Sequence, residues 1–161
     1  MSRSYNVLEV TPTINTTEYD IGDCIFVSTE IDNFFPGPNS AAEVKSLTII
    51  DRSSDAPAMY VYLTTNSTTL GAINATADAA DAVTDDIQCI IPVASGDFLG
   101  GANFTDTSSV ACITDPSNDG IGCIVKSAPD SNSLYICAIL AGAAETFAVG
   151  DLTFKIGVKY L

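Results

Sequence analysis

Apolar and polar residues alternate with a period of two through much of this chain, in short runs. In MYVYLTT, Met59, Val61 and Leu63 point one way and Tyr60, Tyr62 and Thr64 the other. In LTFKIGVKY, Leu152, Phe154, Ile156, Val158 and Tyr160 share a face, while Thr153, Lys155, Gly157 and Lys159 share a wetter one. That alternation marks a half-buried strand. About nine such runs predict strands: YNVLEV, DCIFVSTEI, EVKSLTII, MYVYLTT, IQCIIPV, SVACIT, IGCIVK, LYICAIL and LTFKIGVKY.

Turn formers separate them, in FFPGPNS, DRSSDAP, PSNDG and SAPDSNS. Only TADAADAV reads as helical, as one or two exposed turns with Thr76 as the cap. The absence of a long run at period 3.6 excludes alternating βαβ units. The expected fold is an all-β, antiparallel, jelly-roll-like β-sandwich of eight to nine strands with one short helical loop, occupying residues 1–161 as a single domain.

One pattern occurs twice. FAVGD, from Phe147, and YDIGD, from Tyr19, both run aromatic, any residue, aliphatic, Gly, Asp, and both lead into an apolar-rich strand. A third Gly–Asp pair stands at Gly96–Asp97. Glycine reverses a chain at positive φ and aspartate caps a turn through its side chain, so the pattern reads as a corner and not as a ligand site. There is no repeat at a fixed period. The closing strand is expected to pair with one from the N-terminal half, Cys24 to Ile31 or its neighbour.

The chain has 161 residues, 47% of them apolar, enough for a sizeable core. Its net charge of −14 comes from 20 acids against 6 bases. The bases, Arg3, Lys45, Arg52, Lys126, Lys155 and Lys159, form no cluster along the sequence. Nucleic-acid binding needs a basic footprint, and an anionic membrane would repel this chain. MSRSYNVLEV has no apolar signal segment, and Leu134 to Ala144 is too short to span a bilayer, so a cytoplasmic origin is expected. The four Asn-x-Ser/Thr sequons, at Asn15, Asn66, Asn74 and Asn103, then read as chance. Each of the five cysteines lies in an apolar run, and their number is odd without a CxxC pair. All five are expected to be core thiols.

Histidine is absent, which removes Ser–His–Asp and Cys–His nucleophile pairs and His-containing zinc sites. No catalytic residue, metal ligand or cofactor site is expected. Asp115, Ser117, Asp119 and Gly120 stand at the first, third, fifth and sixth positions of a calcium loop, but Lys126 occupies the twelfth, where a bidentate Glu is needed. A hairpin loop accounts for the same residues. NFFPGPN is ambiguous: Phe34 and Phe35 either plug the end of the sandwich or contact another chain. Arg3 and Tyr5 are candidate contacts to a neighbouring subunit.

The stretches VTPTINTTEYDIGD, VKSLTIIDRSSDAPAMYVYL, ADAADAVTDDIQCIIPVASGDF, IGCIVKSAPDSNSLYICAI and FAVGDLTFKIGVKY together resemble a family of small all-β proteins of tailed phages, including cyanophages. The resemblance covers nearly the whole chain, and departs from it in the FFPGPN loop and the five cysteines. It implies a virion structural protein without enzymatic activity: a capsid decoration or cement protein made in the host cytoplasm and carried on the capsid surface. The implied partners are the major capsid protein and further copies of the chain, as a dimer or trimer. A tail, fibre or knob component is the alternative. A carbohydrate-binding sandwich using Tyr60 and Tyr62 is another.

Overall fold

A computed structural model describes residues 4–68, 70–78, 81–100, 108–114 and 120–161. The alternating runs form ten strands among these residues: β1 (Tyr5–Val10), β2 (Cys24–Ile31), β3 (Ala41–Asp51), β4 (Met59–Thr64), β5 (Ile87–Val93), β6 (Phe98–Leu99), β7 (Ser109–Ile113), β8 (Cys123–Lys126), β9 (Leu134–Leu140) and β10 (Leu152–Tyr160). The fold is a two-sheet antiparallel β-sandwich. One sheet has six strands in the order β1-β10-β3-β7-β6, with β8 beside the first part of β3. The other has four, in the order β2-β9-β4-β5. The inward sides of both sheets build one core, including Phe26, Val44, Leu47, Ile49, Val61, Leu63, Ile91, Ile136, Phe154, Ile156 and Val158.

β10 is paired on both sides. It lies antiparallel to β1, with Tyr5 opposite Lys159 and Val10 opposite Phe154. It also lies antiparallel to β3, from Leu152 opposite Asp51 to Tyr160 opposite Ala42. Both partners come from the N-terminal half, as expected. Cys24 to Ile31 is not among them, because β2 belongs to the other sheet. Its Phe26 instead meets Phe154 across the core, with ring centroids 5.2 Å apart. The register shifts once, between Gly157 and Val158, which makes Lys45 an extra residue in β3. Beyond that bulge the inward series continues as Val44 and Ala42, both buried.

The repeated Gly–Asp pairs are corners with a common hydrogen-bond scheme. Asp23, Asp97 and Asp151 each donate a backbone N–H to the carbonyl three residues earlier, at Asp20, Ala94 and Ala148, over 3.0, 3.0 and 3.1 Å. Each aspartate carboxylate accepts the N–H of that same residue, over 3.0, 2.8 and 2.5 Å. Gly22 and Gly150 have φ of 91° and 85°, values open to glycine and costly to a side chain. The two aromatics that precede these corners, Tyr19 and Phe147, pack on each other at 5.6 Å. Beside them, Tyr19 N–H donates to the Glu145 carbonyl at 2.8 Å and Glu145 N–H to the Tyr19 carbonyl at 3.1 Å.

The helical expectation shrinks to one turn, α1 (Asp81–Thr84). Thr76 does not cap it: its hydroxyl lies 3.4 Å from an Asp23 carboxylate oxygen, and its backbone bridges to Asp23. The segment leaving β4 thus returns to the start of β2, where Cys24 N–H donates to Ala75 and Asn74 N–H to Cys24.

Replacing Phe154 by Ala should cost about 3–5 kcal/mol, the range for truncating a buried Phe. Lys155→Ala on the outer face should cost under about 1 kcal/mol, because its partner Glu9 is an exposed carboxylate at 3.1 Å. Denaturant melts that found the two variants equally stable would contradict the face assignment.

Candidate functional site

The surface has three zones. The first is the outer face of the six-stranded sheet. All five described bases sit on this sheet or just past it: Lys45 on β3, Arg52 after β3, Lys126 on β8, Lys155 and Lys159 on β10. Folding therefore gathers residues that are scattered along the chain. Glu43 lies between Lys45 at 2.9 Å and Lys159 at 3.3 Å. The Lys45 hydrogen bond, with that of Lys159, holds the Glu43 carboxyl below the usual carboxylate range against partial burial, which acts the other way. Tyr5, at 64% exposure, and Val7 stand outward on the edge strand β1. Tyr5 is therefore free for contact, as its candidacy requires. Arg3 lies outside the described residues.

The second zone is the rim of loops at the strand ends, where most of the acids lie. Many are committed to structure. Asp51 is buried, and its carboxylate accepts from Ser53 N–H at 2.9 Å, Ala56 N–H at 3.0 Å and Ser109 hydroxyl at 3.1 Å. This holds a loop in which Ser54 and Ala56 adopt φ of 67° and 51°. Burial, then Asp55 and Asp51, push the Glu145 carboxyl up. Among the described residues no group of three or more His, Cys, Asp or Glu is arranged to hold a metal. The calcium-loop residues Asp115 to Asp119 lie outside the described residues. Gly120, which follows them, has φ of 114°. Of the described sequon asparagines, Asn66 donates its side-chain N–H to Asp86 at 2.8 Å, and Asn15 accepts from Thr17 N–H at 2.9 Å.

Phe34 and Phe35 belong to neither zone. Both are buried, at 0% and 2% exposure, with their rings edge-on at 4.9 Å. They are core residues and present no contact surface, which corrects the reading of this loop as adhesive. Asn33, at φ 55°, breaks the strand alternation just before them, so two adjacent rings turn inward together. A second loop seals the plug: Phe35 N–H donates to the Asn132 carbonyl at 2.9 Å and the Asn132 side chain donates to Asn33 at 2.9 Å.

The third zone is the outer face of the four-stranded sheet. Tyr60 is opposite Ile139 on one side and Pro92 on the other, and Tyr62 is opposite Cys137 and Ile90. Tyr60, Ile90 and Pro92 are exposed; Tyr62 and Ile139 are half-buried. None of β2, β9, β4 and β5 carries a Lys or Arg. Sequence reasoning singled out the tyrosines but not this platform, since strand order is needed to set Pro92, Ile90 and Ile139 beside them.

The thiols divide. Cys24, Cys89 and Cys137 are buried, Cys123 is half-buried and Cys112 is exposed, so the expectation of five core thiols fails at Cys112. Alternation accounts for it: Ala111 points into the core, which turns Cys112 outward beside Thr48, whose hydroxyl donates to the sulfur at 3.6 Å. Burial, reinforced by Cys24, pushes the Cys137 thiol up to about 12. Burial and a hydrogen bond with Cys123 push Cys89 up too. Among the described residues no helix is long and apolar enough to cross a membrane.

No family model matches the chain, and no curated protein matches its sequence.

A thiol reagent added to folded protein should label Cys112 first and Cys123 more slowly, with Cys24, Cys89 and Cys137 labelled only on unfolding. Peptide mass spectrometry reads the sites. Rapid native labelling of Cys89 or Cys137 would contradict the burial described.

Proposed function

We propose that this chain is a virion structural protein: a capsid decoration, or cement, protein that binds the outer capsid surface and stabilises the shell. The observation that carries the reading is where the chemistry goes. The buried and turn carboxylates, Asp23, Asp51, Asp97 and Asp151, hold corners and loops, and Glu43 holds two lysines. The exposed residues Tyr60, Ile90 and Pro92 on the outer side of the four-stranded sheet add an apolar patch, which suits adhesion.

Strand order supports the same reading. β1-β10-β3-β7 facing β2-β9-β4-β5 supports reading the sandwich as a jelly roll, a double Greek key used by viral capsid domains among others. Fold alone does not give function, and the resemblance to tailed-phage proteins supplies the rest. An acidic coat keeps free copies apart in solution. Weak contacts repeated over a lattice then add through effective concentration. The partner in this reading is the major capsid protein, and the place is the capsid surface.

A carbohydrate-binding role is a second reading, carried by Tyr60: a 45% exposed ring on the outer sheet face, beside Tyr62, offers a stacking surface for a sugar.

Quantitative mass spectrometry of purified particles tests the proposal. A stoichiometry close to that of the major capsid protein is expected. A few copies per particle would place the chain in the tail, and its absence from particles would overturn the virion reading.

A further inference from the structure

We propose that Cys89 and Cys123 form a paired redox site: a small disulfide such as oxidised glutathione converts the two thiols into a disulfide that staples one sheet of the sandwich to the other. The inference concerns the purified protein and stands apart from the virion reading.

The two thiols are brought together from opposite sheets. Cys89 lies on β5 of the four-stranded sheet and Cys123 on β8 of the six-stranded one. Alternation turns both inward. Cys89 shares its face with Ile91 and Val93, and Cys123 shares its face with Val125, all three buried. β5 and β8 run beside each other at this side of the sandwich. The Cys123 thiol donates to the Gln88 carbonyl at 3.4 Å, one residue before Cys89, and the two thiols share a hydrogen bond. The Gln88 side chain fixes the spacing. Its oxygen accepts from Lys126 N–H at 2.6 Å, and its amide donates to the Thr65 hydroxyl. Among the described residues no strand ladder joins β5 to β8, since β5 pairs with β4 and β8 with β3. A covalent bond here ties the two sheets where no ladder does.

Exposure sets the order of events. Cys123 is half-buried and Cys89 is buried, so a small disulfide meets Cys123 first. The Cys123 thiolate attacks one sulfur of oxidised glutathione and breaks its S–S bond. One glutathione leaves as its thiol, carrying the Cys123 proton. Cys89 then attacks the Cys123 sulfur of the mixed disulfide. The Cys89–Cys123 bond forms, the bond to glutathione breaks, and the Cys89 proton leaves with the second glutathione. Two protein thiols are oxidised by two electrons, and one small disulfide is reduced to two thiols. Burial, then the hydrogen bond with Cys123, pushes the Cys89 thiol up. The thiolate is the nucleophile, so the closing step should quicken as pH rises.

The test treats folded protein with oxidised glutathione at neutral and at mildly alkaline pH, blocks free thiols with an alkylating reagent, and digests without reduction. Peptide mass spectrometry reads the linkages, and thermal melts read the stability. A Cys89–Cys123 cross-link is expected, formed faster at the higher pH. It should raise Tm by roughly 5–15 °C over the reduced protein, and dithiothreitol should remove the gain. Cys89→Ala should stop at a glutathione adduct on Cys123 with no gain in Tm, and Cys123→Ala should leave Cys89 unmodified. The wild-type readouts decide the matter even where a variant fails to fold. Wild-type protein that stops at the Cys123 adduct, or reacts at neither thiol, overturns the proposal. So does a cross-link that forms only in denaturant, one that joins either thiol to Cys24, Cys112 or Cys137 instead, or one that leaves Tm unchanged.

Discussion

Four aromatic rings hold the two sheets in place. Tyr19 packs on Phe147, and Phe26 packs on Phe154. Each pair takes one ring from each copy of a single pattern: aromatic, any residue, aliphatic, Gly, Asp, two residues, Phe. One copy leads into β2 and the other into β10, strands of opposite sheets. The segments thus meet twice, once before the corner and once after it. Aromatic pairs of this kind are worth about 0.5–1.5 kcal/mol each beyond the area they bury. The corner itself is fixed by its aspartate, which accepts from and donates to the residue three before it. The Gly22–Asp23 corner docks on the end of β9, where Gly22 N–H donates to Leu140 and Leu140 N–H to Asp23. The Gly150–Asp151 corner docks just past β3, where Arg52 donates to the carbonyls of Asp151 and Gly150. In each case the docked strand is the one that β2 or β10 then pairs with.

Much of this was legible in the sequence, and the misses have physical reasons. Strand positions follow from alternation, which is local, so nine of the ten were readable. The exception, β6, is the pair Phe98–Leu99, too short to show a period. Alternation cannot say which strands share a sheet. The echo between the two ends was therefore readable as a corner, but its two copies were assigned to neighbouring strands when they face each other across the core. Phe34 and Phe35 stayed ambiguous because a left-handed Asn33 sets their direction, and φ is not written in a hydropathy pattern. Cys112 was misjudged by its apolar neighbours, although its place one step from the inward Ala111 predicts exposure.

The surface was the least legible part. Lys45, Lys126, Lys155 and Lys159 are scattered in sequence, yet strand order gathers all four on one sheet. The same order leaves the other sheet without a base and sets Tyr60 among Pro92, Ile90 and Ile139. A charge count of −14 describes neither face. It describes the loop rim, where most acids sit and where several are already bound into turns. The proposed adhesive role draws on this division between a structural rim and available sheet faces.

The claim that the two copies of the pattern clasp the sandwich is tested most directly by a double-mutant cycle on Tyr19→Leu and Phe147→Leu, read by denaturant unfolding. The hydrogen bond that the Tyr19 hydroxyl accepts from Asn15 N–H is lost in both arms that lack the tyrosine, so it cancels. A coupling energy of about 0.5–1.5 kcal/mol is expected for rings in contact. Strictly additive losses would contradict the clasp, leaving the echo as two independent corners.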